Sequence, residues 1–189
     1  MAGEPARKRA TYQDVLDAPP NMVAQVVEGE FYLQARPAAH HAVAASLLLG
    51  ELHGFLWSSK GGPGGWVILF EPELHIGSDP DILVPDLAGW RRERLPEIPD
   101  SPFFSIAPDW VCEVVSLATA SVDRVLKLPI YAREHVRHVW LVDPRTGILE
   151  VFRLEGAGWL LVGAWEGAAS VRAEPFAALE LDLGLLWSR

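Results

Sequence analysis

The sequence predicts an α+β fold, α/β-like in its ordering, with a mixed β-sheet flanked by helices. Three observations lead there. Apolar runs of strand length recur at Val67–Phe70, Trp110–Val115, Val139–Asp143 and Ile148–Leu154. A helix-length run, His40 to Leu56, spaces its apolar residues by three and four. A second helical pattern lies between Trp110–Val115 and Val139–Asp143, and no internal repeat or composition break marks a further domain.

In chain order, residues 1–10 read as a flexible tail and 11–189 as one domain. Thr11 with Asp14 has the pattern of a capped helix start, closed by Pro19 and Pro20. Val23–Gln34 reads as two strands around a turn at Glu28–Gly29. In the long helix, Val43, Leu47 and Glu51 with Ala44, Leu48 and Leu52 give a broad apolar stripe, and His41 sits at its beginning. The glycine-rich Lys60–Trp66 turn lacks the P-loop pattern and precedes a strand, so it offers phosphate no helix N-terminus. Glu71 and Glu73 share a face if the chain stays extended there.

Ile82–Leu87 reads as a strand interrupted by Pro85, which puts Asp86 where the sheet opens. Gly89–Pro102 is a charged, proline-punctuated connection. Its Arg91, Arg92 and Arg94 form either a solvated face or a compact basic patch beside a site. Ser116–Ser121 is a polar turn from which Thr119 or Ser121 caps a helix running towards His135, with Pro129 as a kink or a shifted start. The strands Val139–Asp143 and Ile148–Leu154 flank a turn at Pro144–Gly147, and Gly158–Gly163 adds another. The segment from Pro175 through Leu179, Leu181, Leu183 and Leu185 to Trp187 is apolar enough to dock on the body.

At 189 residues the chain is long enough to bury a substantial core. Half of it is hydrophobic and 22% is charged, which argues against a disordered chain. The formal net charge of −9 argues against binding nucleic acid over a broad basic face, but not against a nuclease, whose metal site is itself acidic. The single cysteine, Cys112, reads as a buried thiol, and no Cys/His spacing matches a structural zinc site. A soluble, cytoplasmic protein is expected, because no apolar run follows the basic N-terminal residues and none approaches the ~20 residues that span a bilayer. Edge strands and the apolar C-terminal segment predict a homodimer.

Two acids stand out. Glu113 interrupts the apolar run Trp110–Val115. Burying an isolated carboxylate is costly or forces protonation, so such a residue has a cation, a metal or strong hydrogen bonds. Asp86 keeps similar company in ILVPDLAGW. With Lys127 near the next helix, the two acids have the make-up of a site for a divalent metal and a phosphodiester. Salt-bridged acids at strand edges are the other reading. Lys127 is equally two-sided: an exposed i,i+4 pair with Asp123, or an ammonium directed at both acids. Arg124, Lys127, Leu128 and Tyr131 share one helix face.

The strings GPGGWVILFEPEL, PDLAGWRRERLP, PDWVCEVVS and DRVLKLPIYAREHVRHVWLVDP resemble, in order and spacing, the Uma-two family, described as putative restriction endonucleases, of the PD-(D/E)XK nuclease-like superfamily. The resemblance covers roughly residues 11–187. It implies a restriction-endonuclease-like core and Mg²⁺-dependent hydrolysis of DNA phosphodiester bonds, with Mn²⁺ as a substitute. The alternative is a descendant of the fold that binds nucleic acid or protein with catalysis weak or lost.

Carried over, Asp86 matches the motif aspartate and Glu113 the second acid, and these two would hold the metal. The motif lysine would fall on Val115 and is displaced to Lys127, giving Asp86, Glu113 and Lys127 as catalytic candidates. His41 matches a histidine at the start of the first long helix, while Ser116 and Glu73 are candidate supporting residues. Gln25 stands where the family often has glutamate. It can still form hydrogen bonds but cannot neutralise a metal. His135 occupies a position where glycine is usual, and Ser116–Thr119 replaces a common S-P-x-T turn.

Overall fold

A computed structural model describes residues 9–35, 38–58 and 62–187. The expected Lys60–Trp66 turn lies partly outside the described residues. The fold is α+β, with mixed sheet flanked by helices in a restriction-endonuclease-like architecture.

The chain opens with α1, Tyr12–Leu16, capped by Thr11 and Asp14 as its sequence predicts. Strands β1 (Met22–Val27) and β2 (Glu30–Ala35) form a hairpin whose turn has both Glu28 and Gly29 at positive φ. Helix α2, Ala39–Glu51, ends in a 3₁₀ turn at Leu52–Phe55. Strands β3 (Trp66–Phe70), β4 (Leu74–Ile76), β5 (Asp81–Leu83), β6 (Leu87–Arg91) and β7 (Trp110–Val114) follow. A π-helical turn, Val122–Lys127, runs into α3, Leu128–Arg133. The chain continues through β8 (His138–Asp143), β9 (Ile148–Glu155), β10 (Gly158–Glu166), β11 (Ser170–Val171) and β12 (Leu181–Asp182) to α4, Leu183–Leu186.

Six strands form one sheet in the order β10-β9-β8-β7-β6-β3, and β2-β1-β5-β4 form a second. The sheet is mixed because β7 and β8 pair parallel while its other pairings are antiparallel. Alternation along β7 and β8 sorts the core. Trp110, Cys112, Val114, Trp140 and Val142 face α2, α4 and Phe176. Val111, Val115, Val139 and Leu141 face Ile130 and Tyr131 of α3. Glu113 alternates onto that second side, under α3.

Several expectations need correction. The strand expected over Ile82–Leu87 is two strands in different sheets, because Pro85 supplies no amide for a ladder and the chain changes sheet there. Strand β6 extends to Arg91, so the charged connection starts later than expected. The stripe of α2 is narrower than its periodicity predicts: His41, Ala44, Ala45 and Leu48 are buried, whereas Val43 and Leu47 are 42% and 38% exposed. Glu71 adopts φ 44°, which breaks the extended run that would put it on one face with Glu73. The C-terminal segment is covered within the chain, for Leu181, Leu183 and Leu186 are buried and the Trp187 indole donates to the Gly167 carbonyl at 2.8 Å. It therefore gives no argument for the expected homodimer. Exposed apolar residues are instead spread over the molecule, among them Phe31 and Leu33 on β2, Val43 and Leu47 on α2, Leu160 and Leu161 on β10, and Leu185 in the C-terminal segment itself.

The two faces of α2 make a direct test. Leu48→Ala should cost about 2–5 kcal/mol, since it opens a cavity in the core. Leu47→Ala should stay within about 0.5 kcal/mol. Urea unfolding that gave the two variants equal losses would contradict this placement.

Candidate functional site

Glu113 enters the protein interior because strand alternation carries it there, and its surroundings answer the charge. The Lys127 ammonium lies 3.2 Å from each Glu113 oxygen, and the Tyr131 hydroxyl donates to Glu113 Oε1 at 2.6 Å. Lys127 also lies 3.1 Å from Asp123 Oδ1, and the side chains of Lys127, Glu113 and Asp123 are 2–3% exposed. Lys127 thus contacts Asp123 and one of the two acids, Glu113, at once. What fails is the exposed pair, since the π-helical turn folds Asp123 inward with the lysine. Such single-turn π segments often mark functional positions.

One buried ammonium faces an excess of negative charge. Burial is the main cause that pushes the Glu113 carboxyl up, to about 8; Lys127 opposes it, while Asp123 and Asp86 add to it. The Lys127 pKa is also raised, because the acids around it outweigh the pull of burial. Tyr131 is pushed well above its ordinary value by burial and by Glu113, so it remains a hydrogen-bond donor.

Asp86 lies at the corner where the chain passes from β5 to β6. Its Oδ2 accepts the Val114 amide at 2.6 Å, and its Oδ1 lies 3.2 Å from His41 Nε2. Burial pulls the His41 imidazole pKa down, but Asp86 more than offsets it and the net shift is upward. Gln25, fully buried on β1, accepts the Val84 amide at 2.9 Å and faces Gln34 Oε1 at 3.3 Å. It fastens the small sheet to the corner beside Asp86.

Asp86, Glu113, Lys127, Asp123, His41 and Ser116 line one cavity of about 500 Å³. Ser116 stabilises its wall, where the Ser116 amide donates to Thr119 Oγ1 at 3.1 Å. Glu73 is not part of that lining and binds His75 at 2.8 Å. The basic patch also lies elsewhere: Arg91 stacks over Trp66 and Arg92 over Trp57. Tyr131 and Asp123 join the site beyond the residues expected to form it. Tyr131 follows Lys127 by four residues on one face, and that spacing was the available signal.

The donor set fits a divalent cation only in part. Asp86 and Glu113 are hard oxygen ligands on one cavity, yet each is already held by protein donors. Among the described residues, no group of three or more His, Cys, Asp and Glu side chains is arranged to hold a metal ion.

Residues 10–184 match the model of the Uma2 family, described as "putative restriction endonuclease". The chain belongs to the Uma2 family. A crystal structure of a putative nuclease belonging to DUF820 from Anabaena variabilis superposes with a TM-score of 0.73 at 20% identity, covering 94% of this chain and 97% of that one. At that identity the likeness speaks for the fold alone. No curated protein matches the chain.

Within Uma2, two of the departures from the resemblance have local explanations. Gln25 keeps a hydrogen-bonding role at the corner without supplying charge. His135 adopts φ 59°, and the bonds from the Val136 amide to Tyr131 O (2.9 Å) and the His135 amide to Ala132 O (3.1 Å) make a Schellman end to α3. The left-handed position at such an end favours glycine, so His135 alters a helix terminus and not the site.

Removing the buried cation should be costly. Lys127→Ala is expected to lose about 3–5 kcal/mol of unfolding free energy, because Asp123 and Glu113 lose their partner in the interior. Loss of only a few tenths of a kcal/mol in urea would mean that the pair is solvated. A second expectation concerns pH. The folded-state pKa of Glu113 lies above its ordinary 4.5, so its contribution to stability is complete below that value and lost as pH rises through about 8. Glu113→Gln cannot titrate and should flatten the decline of the urea midpoint over that window. Equal slopes for variant and wild type would overturn this.

Proposed function

We propose that this Uma2 protein binds nucleic acid on a nuclease fold whose phosphodiester cleavage is weak or lost. The observation that carries the reading is the occupancy of Glu113, with both oxygens held by Lys127 and one also by Tyr131. Gln25 supports it, since an amide stands where a further acid would neutralise a metal. Family membership supports nucleic acid as the ligand class. The cavity floor itself offers a bare phosphate little: its one cation among the lining residues, Lys127, is already shared by Glu113 and Asp123.

A second reading, a Mg²⁺-dependent DNA endonuclease, is favoured by one specific observation: Asp86, Glu113 and Lys127 line the same cavity. In that reading Asp86 and Glu113 would hold Mg²⁺ or Mn²⁺, which would supply Lewis-acid stabilisation of the phosphate. The Lys127 ammonium would offset charge developing on the phosphate, and His41 would fix the orientation of Asp86.

One set of measurements separates the two. Binding to single-stranded and duplex DNA is measured in EDTA, and cleavage is assayed with Mg²⁺ and with Mn²⁺. The first reading expects binding that persists in EDTA and little or no cleavage, with Gln25→Glu raising whatever cleavage there is. Robust cutting by wild type that Asp86→Asn abolishes would replace it with the second.

A further inference from the structure

Four arginines, Arg91, Arg92, Arg94 and Arg137, gather at the end of β7 opposite the cavity. Arg91 closes β6 directly across from Trp66, and its guanidinium stacks 4.2 Å from that ring. Arg92 stacks at 4.8 Å over Trp57, which is 54% exposed. Among the described residues neither guanidinium has a carboxylate partner. Arg94 and Arg137 come from different segments and converge on one acid, Asp109, at 2.8 and 4.0 Å. Asp109 is itself 3% exposed and accepts the Arg91 amide at 2.8 Å, so its charge is spent inside the rim. The Arg137 side chain is 74% exposed. A groove of about 250 Å³ runs between Arg91, Arg94, Arg137 and His138, with Glu93 and the buried Asp109 as the acids of its lining.

We propose that this rim is a binding surface for the phosphate backbone of a single-stranded nucleic acid, with Trp57 as a platform on which a base stacks. The proposal rests on the nucleic-acid reading above and adds to it a place apart from the cavity. Charge complementarity is the argument: in a chain of net charge −9, arginines outnumber acids at this rim. Two of them are held on indole faces instead of carboxylates, which keeps the guanidinium planes ordered; Arg92 Nη1 donates to the Leu95 carbonyl at 3.1 Å, and the remaining donors of the pair have no carboxylate partner among the described residues. An exposed indole beside backbone-binding cations is the arrangement that suits unpaired bases, since a duplex keeps its bases stacked inside.

The test is fluorescence anisotropy of the full chain with a labelled oligothymidylate and an oligouridylate in EDTA across a salt series. The double variant Arg91→Glu/Arg137→Glu should bind at least about tenfold more weakly, and its log K against log salt slope should be shallower by about 1.4, the loss of two single-strand phosphate contacts. Arg145→Glu/Arg172→Glu makes the same change in net charge on other surfaces and should stay within about twofold of wild type. Trp57→Ala should weaken binding with the salt slope unchanged. If the double variant does not fold, as judged by circular dichroism, Arg137→Glu alone carries the test, because its guanidinium makes no ion pair closer than 4.0 Å. Wild-type binding with rim and control variants alike would overturn the rim and leave the nucleic-acid reading standing. No binding by wild type at any salt would overturn both.

Discussion

A single buried ammonium has to answer the carboxylates that strand alternation and a π-helical turn bring inside. Lys127 touches Glu113 and Asp123 at nearly equal distances, and much of the local architecture follows from that requirement. The lysine leaves the end of the π turn and Tyr131 leaves the first full turn of α3, and both must reach the same Glu113. That double demand sets the register of α3 on the sheet. Apolar packing of Ile130 against Val111 and Val139 would tolerate small slides, whereas two polar contacts to one carboxylate do not. Replacing buried ion pairs with apolar groups is often neutral or stabilising, so this cluster is better understood as a positioning device than as a source of stability.

The corner at Asp86 is a second constraint and a different kind. There the chain leaves one sheet and enters another, and the exposed backbone groups of such a crossing need partners. Gln25 supplies an acceptor for the Val84 amide and Asp86 one for the Val114 amide, each tying one strand to the next. An amide suits the first task as well as a carboxylate would, and without burying a further charge beside Glu113, Asp123 and Asp86. The substitution at Gln25 is thus structurally comfortable, and its cost falls only on chemistry that needs an additional anionic ligand.

How much of this could be read from sequence depends on whether a residue contradicts its surroundings. Glu113 in WVCEVV and Asp86 after a strand-breaking proline do so, and both line the cavity. The strands at Trp110–Val115, Val139–Asp143 and Ile148–Leu154 were also legible, because each segment is mostly apolar and of strand length. Asp123 was not, because an i,i+4 acid–lysine pair has one spacing whether it faces water or the core; only the packing of α3 decides. For α2 the periodicity was satisfied by Val43 and Leu47 as well as by Ala44 and Leu48. Small Ala44 and Ala45 let the helix approach the sheet closely, and the bulkier residues stayed outside. Glu73 fell to a local partner, His75, that lay just two residues along. Arg91 and Arg92 looked like solvated charges because their partners, Trp66 and Trp57, come from a distant segment.

The separation of the acidic floor from the basic rim has an electrostatic logic. Asp109 and Glu113 are four residues apart on one extended segment, about 13 Å at the usual strand rise. That distance, and the burial of Glu113 against Lys127, separate the acids of the cavity from the guanidinium groups at the other end of the strand. A phosphate placed over the cavity would instead meet Glu113, Asp86 and Asp123, with Lys127, the one lysine or arginine among the described lining residues, already engaged. The net charge of the whole chain is therefore a poor guide to where an anion can approach it. What matters is that Asp109 is buried and shared, while the guanidinium groups around it reach solvent.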